Sequence, residues 1–294
     1  MQSQLFELSD RVRTVAEWFG EETASGKALV VFLPALGASV DYYRPMAEAW
    51  AGLGYRVVTV ELRGGKQSSV HDVRAENFGY NEVLNEDLAF IVPRLRAEAR
   101  GRPFLLAGHS LGGQFALLYA SRHPSEVDAV VLLAGGSNYY GAMPPWQRFT
   151  RQIGLRTVRL INQTLRFFPG DKLGFGGRQP YNMIRDWTQE ALTGKYRVQG
   201  DATDYDQELR QLTLPVLMVS LQGDALVPRP SADYLARKLT RAAVSQTELR
   251  SEDGAPYHHF RWVKTPAAIL AQVDRWIHDQ FEIDSPRVMS RPPS

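Results

Sequence analysis

Cysteine is absent from the 294-residue chain, which excludes disulfides, thiolate metal sites and a cysteine nucleophile. No apolar run approaches the roughly 18 continuous residues of a membrane span. The opening stretch Met1-Gln2-Ser3-Gln4-Leu5-Phe6-Glu7 has neither the basic region nor the apolar core of a secretion signal, so a cytoplasmic location is the expectation. Neither sign of charge dominates: 34 Lys plus Arg face 32 Asp plus Glu, so no global field argues for nucleic acid or an anionic membrane. Any electrostatic role must be local. A G-x-G-x-x-G loop is also missing. The glycine-rich Gly174-Phe175-Gly176-Gly177 lacks that spacing and a preceding strand, and reads instead as a lid segment or hinge. No internal repeat occurs. Hydrophobic residues make up 44% of the chain, enough for a large core in one elaborated domain or a domain plus an insertion.

The most informative segment is Gly108-His109-Ser110-Leu111-Gly112. It follows the apolar run Pro103-Phe104-Leu105-Leu106-Ala107 and opens a small-residue, helix-compatible stretch from Gly113 to Ser121. A strand, a sharp turn and a helix in this order lift a serine out as a nucleophile. The turn strains the backbone at Ser110, and side chains two residues either side would collide, hence the paired glycines. The pentapeptide alone arises by chance in about one chain in ten of this length. Its flanking strand and helix, and two ordered partners further on, carry the inference. His109 occupies the variable position of the turn and reads as a packing histidine.

Apolar runs at 28–33, 56–62, 104–107, 127–133 and 215–220 read as strands buried on both faces. Helical candidates lie at about 41–53, 83–99, 111–122, 230–240 and 266–281. This alternation predicts an α/β fold: a mostly parallel central sheet with helices on both faces. Residues 5–8 and 13–19 alternate weakly, as an antiparallel edge hairpin would. From Ser137 to about Leu212 no convincing strand appears, and helical stretches at 145–168 and 178–194 flank the glycine-rich segment. The expected organisation is a core of 1–136 and 213–284, a helical cap insertion over 137–212, and a flexible tail at 285–294.

A serine hydroxyl needs a histidine to take its proton and a carboxylate to hold that imidazole in the useful tautomer. On an open parallel sheet these sit in loops at the carboxyl ends of strands. After the 215–220 strand comes Gln222-Gly223-Asp224-Ala225-Leu226-Val227-Pro228, so Asp224 is the carboxylate candidate. Asp204 and Asp206 are rivals that precede that strand. Near the last helix lies Tyr257-His258-His259-Phe260-Arg261-Trp262, with Pro266 seven residues beyond His259. His259 is the candidate base and His258 its rival. Leu111, in the first turn of a helix, supplies one backbone donor for an oxyanion.

With these residues placed, the chain resembles the α/β-hydrolase-fold serine hydrolases from about Leu29 to Phe281. That superfamily combines G-x-S-x-G, a strand-end D-x-x-V-P, and a histidine before an aromatic residue with proline seven positions on, in the order Ser, Asp, His. Phrases such as Phe-Pro-Gly before Leu-Gly-Phe-Gly-Gly-Arg, and His-Phe-Arg-Trp-Val, are shared with a bacterial group described only as α/β hydrolases. The resemblance implies a second oxyanion donor in Leu33-Pro34-Ala35-Leu36-Gly37, at Leu36, although Pro34-Ala35 stand where relatives have His-Gly. Leu62-Arg63-Gly64-Gly65-Lys66-Gln67-Ser68 resembles the L-R-G-H-G-x-S loop and reads as structural.

The expected activity is cleavage of a small-molecule carboxylic ester or thioester through Ser110, His259 and Asp224 and an acyl-enzyme, with no cofactor and no metal. An acyltransferase, a cyclising thioesterase or lactonase using the same residues, and a non-catalytic ligand-binding homologue stay open. Residues 141–200 hold ten Lys or Arg against three Asp or Glu, interleaved with aromatic residues. They read either as a solvated basic face over an apolar one or as a lid for an acidic substrate, with Trp146 and Trp187 as substrate-binding candidates. Base stacking on nucleic acid is a weaker alternative, and the oligomeric state is open.

Overall fold

The computed structural model describes residues 1–22, 27–251 and 256–282; the segment read as a tail lies outside them. Eight strands form one sheet in the order β1-β2-β4-β3-β5-β6-β9-β10: β1 (Gln2–Glu7), β2 (Arg13–Phe19), β3 (Leu29–Leu33), β4 (Arg56–Val60), β5 (Phe104–His109), β6 (Ala129–Leu133), β9 (Pro215–Leu221) and β10 (Ala243–Leu249). β1 and β2 are the expected antiparallel edge, and all pairs from β4 to β10 are parallel. The helices are α1 (Arg44–Gly52), α2 (Tyr80–Glu82), α3 (Ala89–Ala97), α4 (Leu111–Arg122), α5 (Pro145–Leu165), α6 (Gly170–Leu173), α7 (Tyr181–Thr193), α8 (Tyr205–Gln211), α9 (Arg229–Ala236) and α10 (Ala267–Phe281).

The central strands are apolar throughout because both faces are covered. Along β3, Leu29, Val31 and Leu33 join Phe115 and Leu118 of α4 in one core layer. Val30 and Phe32 point the other way, into a layer with Met46 and Trp50 of α1 and Val273 and Ile277 of α10. β10 escapes the sequence pattern because it is an edge strand: of Ala243–Leu249 only Leu249 is buried.

The order reverses at β3, whose neighbours are β4 on one side and β5 on the other. At such a switch point the loops leaving two adjacent strands diverge and open a crevice. Leu33 pairs with Gly108, so the loop that begins at Pro34 leaves the sheet beside the turn at His109-Ser110.

Between β6 and β9 the chain leaves the sheet and forms α5, a short antiparallel pair of β7 (Phe167–Pro169) and β8 (Arg178–Pro180), α6 between them, then α7 and α8. The β7–β8 pair corrects the expectation of an insertion without strands. Three residues per strand are too few for an alternating pattern to register.

Candidate active site

Ser110 links β5 to α4 with φ 53° and ψ −116°, a left-handed conformation that residues with a side chain rarely adopt. Both flanking glycines are required by contact. A Cβ at Gly108 would lie 2.2 Å from the Gly112 carbonyl carbon, and a Cβ at Gly112 would lie 2.2 Å from the Leu33 carbonyl oxygen. The turn thus presses its own two ends together and against β3. Its backbone is tied to β6 by the Ser110 N–H, which donates to the Leu133 carbonyl at 3.1 Å.

Asp224 and His259 come from the loops after β9 and β10, which end in register at Leu221 and Leu249. Those loops are stitched together: the Gln222 N–H donates to the Leu249 carbonyl at 2.9 Å, and the Tyr257 N–H to the Gln222 carbonyl at 2.8 Å. His259 Nδ1 lies 2.6 Å from Asp224 Oδ2, with both residues buried. Asp224 Oδ1 accepts the N–H groups of Leu226 at 2.9 Å and Val227 at 3.2 Å, so the carboxylate is held from both sides. The rivals are engaged elsewhere. His258 is exposed and accepts the Phe260 N–H. Asp204 caps α8, and Asp206 binds Lys238 and the Tyr196 N–H.

Ser110 and His259 line one cavity of about 420 Å³ together with Leu36 and Leu111. Leu111 is the first residue of α4, so its N–H has no carbonyl a turn back to bond. In the loop after β3, Pro34 has no N–H and the Ala35 N–H donates to the Tyr43 hydroxyl at 3.0 Å. Leu36 is therefore the earliest residue of that loop whose N–H has no acceptor among the described residues.

Beneath the site, His109 is fully buried, and its ring centre is 4.6 Å from that of His259. The Tyr43 hydroxyl meets His109 Nδ1 at 2.8 Å. Burial, and secondarily the charge of His259, hold the His109 pKa well below the usual imidazole value. His109 is thus a neutral shelf under the candidate base.

The opposite wall comes from the insertion: Leu155 and Val158 of α5, Phe175, and Trp187 of α7, whose ring centre is 5.5 Å from that of Phe175. Trp146, expected in this wall, is not there. It sits at the outer start of α5 and is 75% exposed. The glycine-rich segment packs against the loop after β3: a Cβ at Gly37 would fall 2.1 Å from the Gly176 carbonyl oxygen.

Two polar residues of this wall escaped the sequence reading. Arg151 lines the cavity and donates from Nη2 to the carbonyls of Ala225 at 3.2 Å and Leu226 at 2.7 Å, spanning from the insertion to the Asp224 loop. The recurrence of 151, 155, 158 and 162 on one helical face is the signal that could have found it. Asn138 lines the cavity with a buried Nδ2 that has no acceptor among the described residues. Its position is set by fully buried Glu190 of α7, which accepts the Ser137 hydroxyl and, at 3.0 Å, the Asn138 N–H. Burial pushes the Glu190 pKa up to about 7. Among the described residues no cluster of three or more His, Asp or Glu could hold a metal ion.

The sequence profile of the α/β hydrolase fold matches residues 28–192. Protein ABHD8 of Homo sapiens is 26% identical over 230 residues, 74% of this chain but only 49% of that protein. The chain thus spans about half the length of ABHD8. Monoglyceride lipase of Homo sapiens is 22% identical over 267 residues, covering 88% of this chain and 85% of the lipase. Among solved structures, α/β hydrolase domain-containing protein 10 from mouse superposes with a TM-score of 0.63 at 17% identity, covering 95% of this chain and 99% of that one. Est1E from Butyrivibrio proteoclasticus, bound to ferulic acid, gives 0.64 at 14% identity, with 93% and 97% covered. At those identities the structural likeness speaks for the fold alone. The chain belongs to the α/β hydrolase fold family.

Proposed function

We propose that the chain is a serine hydrolase of carboxylic esters or thioesters. The observation that carries this reading is a single cavity that holds Ser110 on a strained turn and the ring of His259, whose far nitrogen is 2.6 Å from Asp224. Asp224 takes the Nδ1–H of His259, which leaves Nε2 as the base. Ser110 Oγ attacks the ester carbonyl carbon while Nε2 removes its proton, and the carbonyl π electrons move onto oxygen. The resulting oxyanion accepts the N–H groups of Leu36 and Leu111, aided by the positive end of α4. Collapse expels the alcohol or thiol, which takes the proton from His259, and Ser110 carries the acyl group. A water deprotonated by His259 attacks that acyl carbon, and breakdown of the second oxyanion returns the proton to Ser110 and frees the acid. Trp187, Leu155 and Val158 suit an apolar acyl or ring group, in keeping with the name of monoglyceride lipase and with the ferulic acid bound to Est1E.

The test is labelling with a fluorophosphonate, followed by an ester panel graded in acyl length. Label on Ser110, and kcat/KM on the best ester falling about 10⁴-fold or more in Ser110→Ala, supports the reading. An unlabelled wild-type protein that turns over no ester or thioester in the panel rejects it. Product analysis with added alcohols or amines separates hydrolysis from acyl transfer.

A further inference from the structure

The outer face of α5 differs from the rest of the surface in two independent ways. At 3.6 residues per turn, Trp146, Phe149, Ile153 and Leu160 fall within about 60° of arc, opposite the buried Leu155 and Asn162. All four are exposed, at 75%, 70%, 48% and 63% respectively. Of the ten large hydrophobic side chains exposed among the described residues, these four, together with Leu165, Leu173 and Leu226, belong to the insertion or to the cavity wall. The second difference is charge. α5 carries four arginines and no acidic residue. Residues 141–200 hold ten Lys or Arg against three Asp or Glu, and from totals of 34 and 32 this leaves 24 against 29 for the rest of the chain. Two of the three acids in that stretch, Asp186 and Glu190, are buried, with Asp186 3.4 Å from Arg185. Arg156 and Arg159, on one flank of the apolar stripe, have no carboxylate partner among the described residues.

We propose that this face docks the protein on an anionic lipid surface. Trp146, Phe149, Ile153 and Leu160 enter the boundary between headgroups and acyl chains, and Arg156 and Arg159 reach the phosphates. A helix with an aromatic and aliphatic stripe beside an arginine flank lies in such an interface plane. No helix among the described residues is long and apolar enough to cross a membrane, and the proposed contact is that of a helix lying in the interface plane. A second copy of the chain is the poorer occupant, because docking the stripe on itself would oppose two strongly basic surfaces. The inner face of the same helix, with Arg151, Leu155 and Val158, lines the cavity that holds Ser110. The lipid surface would then lie about one helix diameter, on the order of 10 Å, from that cavity.

Co-sedimentation of the full chain with vesicles of phosphatidylcholine, alone or mixed with phosphatidylglycerol, tests the docking without any reference to hydrolysis. The mixed vesicles bind about tenfold tighter or more, and high salt removes most of that difference. Trp146→Ala with Phe149→Ala weakens binding about tenfold, while Arg156→Gln with Arg159→Gln abolishes the preference for anionic lipid. Thermal melting confirms that each variant is folded. Tryptophan quenching by brominated lipid is seen in wild type and falls in Trp146→Phe, whose aromatic replacement keeps the stripe. Ser110→Ala binds as wild type does, so failure here and failure of the hydrolase reading are told apart. Absence of binding to both vesicles, binding that survives the Trp146 and Phe149 changes, or a dimer that those changes dissolve would each overturn the docking.

Discussion

The two walls of the cavity are built on different terms. On the sheet side placement rests largely on main chain: glycines at 108 and 112 touch backbone with no room for a methyl group, and Asp224 accepts two main-chain N–H groups on the oxygen that does not face His259. On the insertion side, placement rests on a few long side chains, with Arg151 reaching to Ala225 and Leu226 and Glu190 reaching to Ser137 and Asn138. In the proposed reaction, the chemistry that tolerates little displacement falls to the first wall and selection of what enters to the second.

If the comparison is right, substitutions on the sheet side cost most. Asp224→Asn lowers kcat on a small ester about 10⁴-fold, worth about 5 kcal/mol of transition-state stabilisation, with little change in melting temperature. Retention of more than about a tenth of the rate would remove Asp224 from the reaction. Next comes Gly112→Ala, whose methyl group must displace the Leu33 carbonyl. It lowers stability by about 3 kcal/mol, read from urea unfolding. An unaltered midpoint would show that the turn has slack.

Changes on the insertion side are smaller and of a different kind. Glu190 keeps its proton in the folded chain up to about pH 7, whereas the unfolded chain releases it near 4.5. The unfolded form therefore binds fewer protons between these values, and Glu190 makes the folded state less stable as pH rises through that window. Glu190→Gln removes this slope, so its stability relative to wild type rises between pH 5 and 8 by about 2–3 kcal/mol. Parallel melting curves across that range would contradict it. The smallest effect is that of Arg151→Gln, which releases two carbonyls of the Asp224 loop. It costs about 1–2 kcal/mol in stability or in kcat/KM, measured by thermal melting and on a neutral ester.

How much could be read without coordinates follows the same division. Ser110 was legible because its turn demands glycine at two fixed positions, and β3 to β6 and β9 were legible because strands covered on both faces are continuously apolar. β10 was not, since an edge strand such as Ala243–Leu249 is mostly half-exposed and mixes polar with apolar residues. Leu36 was named from the family resemblance of its loop, whereas the bond from the Ala35 N–H to Tyr43, a residue of a later helical turn, was not visible in the sequence. On the insertion side, composition named the ingredients but not their direction. Trp146 and Arg151 lie five residues apart on one helix, yet the tryptophan faces out and the arginine faces the cavity. A count of aromatic and basic residues cannot separate them, whereas the angular position of each relative to buried Leu155 does.

The contact between Gly37 and Gly176 couples the two walls at one point. Because a methyl group at 37 would overlap the Gly176 carbonyl oxygen, these two stretches can diverge only together. A chimera carrying another hydrolase's insertion on this scaffold would need the neighbouring loop transplanted with it, and selection for a new substrate would be expected to change both in concert.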